Sequence, residues 1–187
     1  MKQLFFPATR RAPAFVLFFC AGVAAFGALS IGTAHAEPAC DPGQLSFAID
    51  REDGQFDGMS HSGALLVLRN LGTTVCTVPA RPELGFLDAG RQPLGVSRQQ
   101  PPGMHPGPVI PPVAVPPGAE LTGEARWVSS DAFDANNCVA TAFITLAIGP
   151  RTFVAPLRTQ LCGPAGKQPS YSVTLLRRDP VYTPPPR

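Results

Sequence analysis

The sequence predicts an all-β protein, a single antiparallel β-sandwich domain that follows a cleaved signal peptide. Three observations predict it. Several short segments alternate apolar and polar side chains, the period of a strand with one buried face. No segment after Ala36 sustains a helical period over about ten residues. The chain carries 23 Pro and 18 Gly among 187 residues, a load that suits many tight turns and opposes a helical bundle or coiled coil. With 44% hydrophobic residues it is also unlike a disordered chain.

Residues 1–36 read as an address. Lys2, Arg10 and Arg11 make a basic start, an apolar run follows from Ala14 to about Ile31, and Ala34-His35-Ala36 supplies small residues for cleavage. A retained anchor is the alternative, since the run approaches the lower length for spanning a bilayer. The cleavage site and the Pro-rich sequence after it favour removal. Thr9-Arg10-Arg11 raises the twin-arginine route, but Pro13 stands where that signal has a bulky apolar residue. Phe19 before Cys20 opposes a lipoprotein. Removing 36 residues leaves 151, enough to bury one real core. Three positive charges leave with the signal, so the formal net charge falls from +2 to −1. A near-neutral chain of this kind is no nucleic-acid binder, and no membrane association is expected after cleavage.

Cys20 leaves too, and Cys40, Cys76, Cys138 and Cys162 remain. An even count in an exported chain implies two disulfides, with three possible connectivities. The spacings contain no C-x-x-C pair, which opposes structural zinc.

Strands follow in order. Leu45 to Asp50 alternates cleanly. Ala64 to Leu68 is a continuous apolar run, expected to be a central strand covered on both faces. Leu84–Leu87 and Leu94–Val96 flank Asp88-Ala89-Gly90-Arg91 and read as a hairpin, with Gly90 free to take a positive φ. Leu121, Gly123, Ala125 and Trp127 share one face of a strand, which points the Trp127 indole inward rather than toward a sugar ligand. Gly149-Pro150 marks a two-residue turn. Folding there sets Leu146 opposite Phe153, Ile144 opposite Ala155 and Ala142 opposite Leu157. The same register brings Cys138 within one residue of Cys162 and predicts that disulfide, leaving Cys40 to pair with Cys76. A last strand is expected from Tyr171 to Leu176.

Eight prolines fall within residues 101–117, which therefore make no central strand and read as an extended crossover between sheets. The organisation is a signal peptide at 1–36, a β-sandwich at 37–178 and a Pro-rich tail at 179–187.

Cys40 before an alternating strand comes first in a longer pattern. Leu68-Arg69-Asn70-Leu71-Gly72 leading to Cys76 follows, then Pro117-Gly118 before a strand ending at Arg126-Trp127, then Cys138. Together these resemble the secreted bacterial family called domain of unknown function 4232, over most of residues 40–160. The resemblance implies an exported, immunoglobulin-like β-sandwich and no particular reaction. The chain departs from the family where members often have Gly-Tyr-Pro after the second Cys; it has Ala80-Arg81-Pro82.

One chemical hint stands out. The mature chain has two Met and two His, and they occur as Met59-Ser60-His61 and Met104-His105, each in a Gly-flanked loop. Thioether with imidazole suits copper, and thioether favours Cu(I). Met59, His61, Met104 and His105 are thus the candidate metal ligands if the loops converge. The structural alternative is a flexible apolar plug beside a turn histidine. Catalytic constellations are missing from the sequence: no G-x-S-x-G and no H-E-x-x-H occurs. Asp50, Glu52, Asp53 and Asp57 cluster in one loop, as do Asp131 and Asp134, and both groups read as solvated turns. Arg81, Arg91 and Arg98 form a small basic patch or a scattered surface.

The expected function is therefore an exported, non-enzymatic binding or structural module of the cell envelope, periplasmic or extracellular. Its partner is expected among envelope proteins, glycans and metal ions. A periplasmic copper-binding protein is the alternative, and an envelope hydrolase comes third.

Overall fold

The computed structural model describes residues 37–100, 103, 107–130 and 132–178. The expected signal peptide, the tail at 179–187, Met104, His105 and Asp131 lie outside the described residues. Those that are described belong to one compact unit, Ala36–Arg187.

The described chain is all-β. Strand β1 (Leu45–Asp50) pairs antiparallel with β2 (His61–Asn70), and β2 with β7 (Glu120–Val128). Along the other edge of β7 run β10 (Ser170–Val173) and β11 (Arg177–Arg178), and β5 (Ser97–Arg98) adds a short parallel pairing to β10. These six form the large sheet. A second sheet has the order β4 (Glu83–Leu87), β8 (Asn136–Ile148), β9 (Arg151–Pro164). A two-stranded piece joins β3 (Cys76–Val78) to β6 (Val113–Val115).

Both larger sheets contribute to each of two core clusters. Leu45, Leu68 and Leu121 of the large sheet meet Leu146, Ile148 and Phe153 of the second, with Cys76, Val78 and Val115 closing that end. Toward the other end, Leu66, Ala125, Trp127 and Tyr171 meet Phe86, Ile144, Leu157 and Leu161. Phe86 lies edge-on to Trp127 at 6.5 Å and to Tyr171 at 5.2 Å. Each fully buried leucine contributes about 1.5–3 kcal/mol relative to exposure, so this shared interior holds the two sheets face to face.

Alternation in the sequence maps directly onto these faces. Leu121, Gly123, Ala125 and Trp127 sit opposite Leu68, Leu66, Ala64 and Ser62 on the inner face. Trp127 is 2% exposed, and its indole N–H donates to Thr159 Oγ1 at 3.4 Å. The continuous run Ala64–Leu68 is central but not equally covered. Ala64, Leu66 and Leu68 are fully buried while Leu65 and Val67 are half-buried, because their outer face carries the exposed Arg69 and Arg126 rather than another layer.

The β8–β9 hairpin turns at Gly149-Pro150, with Gly149 at φ +55°, as a type II′ turn requires at its first central position. Leu146 faces Phe153 and Ile144 faces Ala155 as expected, but Ala142 does not pair with Leu157. A bulge sets Ala142 against both Leu157 and Arg158, and the extra residue brings Cys138 directly opposite Cys162. The two form a disulfide, Cα–Cα 4.1 Å. Cys40 pairs with Cys76, Cα–Cα 4.7 Å, where the segment before β1 runs beside β3 through Cys40 N–H to Thr77 O at 2.9 Å.

Three further expectations change. Leu94–Val96 forms no strand: Pro93 lacks an N–H, and the chain keeps only a Leu87–Pro93 bridge and Leu94 N–H to Phe86 O. The residue with positive φ in that turn is Arg91, at +61°, not Gly90, and its guanidinium lies 4.9 Å over the Phe143 ring. The described part of the proline-rich crossover contains β6, whose Val113-Ala114-Val115 is free of proline and pairs with β3 at an edge. Pro116-Pro117-Gly118-Ala119 then turns into β7, with Gly118 at φ +71°.

The Tyr171–Leu176 strand is interrupted. Val173 faces Ala125 and Arg177 faces Thr122, so three residues of this path oppose only two of β7. The bulge buries Leu176 at 3% exposure and turns Leu175 outward at 42%.

Candidate functional site

Of the two Met/His pairs, only Met59 and His61 fall among the described residues. Gly58 and His61 exchange backbone hydrogen bonds at 2.9 and 2.6 Å, which makes Met59-Ser60 the tip of a tight turn leading into β2. Met59 is fully exposed, with φ +26°, and His61 is exposed with Nδ1 3.5 Å from Ser60 Oγ. Met59 is therefore no plug between sheets. Met104 and His105 lie outside the described residues. Among the described residues no group of three or more His, Cys, Asp or Glu side chains could hold a metal ion.

The acidic loop after β1 is largely committed. Asp50 Oδ1 accepts the Glu52 N–H at 2.8 Å, and Asp57 takes a two-point contact from Arg51 at 2.7 and 2.8 Å. The Ser62 hydroxyl above all holds the Asp57 carboxyl below its ordinary value; burial pushes the other way, and the Arg51 guanidinium adds to the lowering. Phe56 tucks onto the outer face of β2 and β7 beneath the Arg126 guanidinium, 4.3 Å from its ring.

A different region has the concavity a ligand needs. The bulged path Val173–Arg178 and the Pro-rich segment 107–114 border two adjoining cavities of about 480 and 780 Å³. Both share Ile110, Thr174 and Leu175 as walls, so Leu175, turned out by the bulge, projects between them. Each volume falls within the about 300–1,000 Å³ of small-molecule sites. The lining of the smaller cavity includes Arg81, Arg98, Gln99 and Gln100. The larger is lined by Ala80, Pro111–Ala114 and Leu176, and also by Arg177 and Arg178.

The electrostatics are one-sided. Among the described residues, no Asp or Glu lines either cavity. Among the described residues the ion pairs are Arg51–Asp57, Arg69–Glu120 and Arg126–Glu124, and none involves Arg81, Arg98, Arg177 or Arg178. Arg178 Nε–H donates to Ala114 O at 3.4 Å, fixing one side of the opening.

Of the basic trio considered from sequence, Arg81 and Arg98 share a cavity while Arg91 stacks on Phe143 elsewhere. Arg81 is also where the chain departs from the Gly-Tyr-Pro pattern. Leu175 and Ile110 carried no sequence signal, since a one-residue bulge leaves no trace in an apolar-polar pattern; the eight prolines were the available pointer.

No match is found among curated proteins or among solved structures. A family model described as domain of unknown function (DUF4232) matches residues 40–177, from the first disulfide cysteine to the lining of the larger cavity, and the chain belongs to that family.

Proposed function

We propose that this chain is an exported, non-enzymatic binding module of the cell envelope, an immunoglobulin-like sandwich that takes its ligand in the cavities between residues 107–114 and 173–178. The observation that carries the reading is a concave, largely apolar site whose arginines lack acidic partners among the described residues. Buried or concave cationic groups left without counter-charges favour an anionic ligand over water. Export is supported by the three-part N-terminal pattern and by two disulfides. No helix among the described residues is long and apolar enough to cross a membrane.

Two measurements test this. N-terminal sequencing of the secreted chain is expected to start at Glu37; a chain that keeps Met1 contradicts export by cleavage. Thermal melting of the purified protein with separate lipid, polysaccharide and peptide fractions of the envelope is expected to show a Tm raised by several degrees with one fraction. A Tm unmoved by all three contradicts the binding reading.

A further inference from the structure

The two adjoining cavities differ in character, and the difference names a ligand class. One end presents Arg81 and Arg98 with two glutamines. Guanidinium is a planar fork that matches carboxylate and phosphate oxygens with paired N–H donors. The other arm is walled mainly by Ile110, Pro111, Pro112, Val113 and Leu176, whose side chains offer apolar contact, while Thr174, Arg177 and Arg178 complete its lining. Leu175 borders both, so a ligand occupying the two cavities passes along an exposed leucine from the Arg81 and Arg98 end to the proline-walled, mainly apolar one.

Resting on the binding-module reading above, we infer that the site takes a single-chain anionic amphiphile, its carboxylate or phosphate head on Arg81 and Arg98 and its alkyl chain along Pro111–Val113 and Leu176. Head and tail are both required. The head alone leaves the apolar arm in water, and a neutral tail leaves two arginines uncompensated in a concave site. Leu175 divides the arms, and its position follows from the bulge opposite Gly123. A regular strand would alternate Leu175 and Leu176 the other way and close the apolar arm.

Titration calorimetry of the purified full exported chain provides the test, with decyl phosphate as the probe and with inorganic phosphate, decanoate and decyl alcohol as comparisons. Decyl phosphate and decanoate are expected to bind, and inorganic phosphate and decyl alcohol to bind at least about tenfold more weakly. Arg81→Gln with Arg98→Gln is expected to cost about tenfold or more in affinity for decyl phosphate. Leu175→Asp, at an exposed position that leaves the core intact, is expected to do the same. Arg91→Gln, on the Phe143 face, is expected to change nothing. Equal binding of decyl alcohol, or full binding by the double arginine variant, overturns the inference. If an envelope fraction raises the Tm while decyl phosphate neither binds nor competes, this ligand class fails and the binding-module reading stands. If no fraction moves the Tm, that reading fails itself.

Discussion

The side-chain amide of Asn70 donates to the backbone carbonyl of Val115 at 2.9 Å, joining the end of β2 to β6 across 45 residues of sequence. The same amide nitrogen reaches Thr74 O at 2.9 Å, and the side-chain oxygen accepts Gly72 N–H at 2.8 Å. Asn70 is fully buried, and its backbone exchanges bonds with Gly118 and Ala119. One side chain therefore satisfies the corner where β2, β6 and β7 meet, beside the Cys40–Cys76 disulfide. Replacing it leaves the buried Val115 carbonyl, and with it the Thr74 carbonyl and the Gly72 N–H, without this partner. Asn70→Leu is expected to destabilise the domain by about 3 kcal/mol in urea unfolding. A loss below about 1 kcal/mol would mean that water or a rearranged corner replaces the network.

The two disulfides differ in what surrounds them. Chain entropy gives similar values of about 3–4 kcal/mol for closures over 36 and 24 residues. Cys76 is also buried at 1% exposure and takes a contact from Gln44 Nε2 at 3.1 Å, whereas Cys138 is only half-buried. The Cys40→Ser, Cys76→Ser variant is thus expected to lose more stability than Cys138→Ser, Cys162→Ser. Paired denaturation curves give the ordering, and the reverse order contradicts the assignment of the first disulfide to the core corner.

Arg91 combines a strained backbone with a favourable stack. A non-glycine residue at φ +61° costs about 1 kcal/mol, and an exposed guanidinium over the half-buried Phe143 ring returns about 0.5–1 kcal/mol. Arg91→Ala keeps the strain and loses the stack, so it is expected to destabilise by about 1 kcal/mol. Arg91→Gly loses both and is expected to sit within about 0.5 kcal/mol of the parent. Equal losses for the two variants would contradict the positive φ.

Tyr171 joins the sheets through its hydroxyl, which donates to Leu84 O at 3.1 Å from a ring 4% exposed. Burial pushes its phenol above the ordinary value of 10.0. The folded state therefore holds this proton more tightly than the unfolded chain does. Its stabilisation is intact below pH 10 and is lost as pH rises from there toward the folded pKa. The urea midpoint of the parent is expected to fall above about pH 10, and Tyr171→Phe to fall less steeply over that range. Identical slopes would show that the phenol is not held in the interior.

Much of the architecture was legible because burial imposes period two. Leu121–Trp127 and the Leu146–Phe153 pairing follow from alternation and a Gly-Pro turn, and the register nearly closed Cys138 on Cys162. The missing residue was a bulge, which an apolar-polar pattern does not encode. The second bulge, opposite Gly123, hid the candidate site for the same reason. Its walls also come from residues near 80, 98, 110 and 175, so no local motif marks it. Met59 and His61 were conspicuous by rarity alone, and the turn that carries them leaves Met59 in solvent.

Ligand is expected to bind between residues 107–114 and 173–178. Amide hydrogen exchange, with and without the envelope fraction that raises the Tm, tests it most directly. Exchange is expected to slow at Ile110, Val113, Thr174 and Leu175, with no change at Gly58–His61 or along the outer face of β9. Protection confined to the Met59–His61 turn, with the cavity amides unchanged, would contradict it.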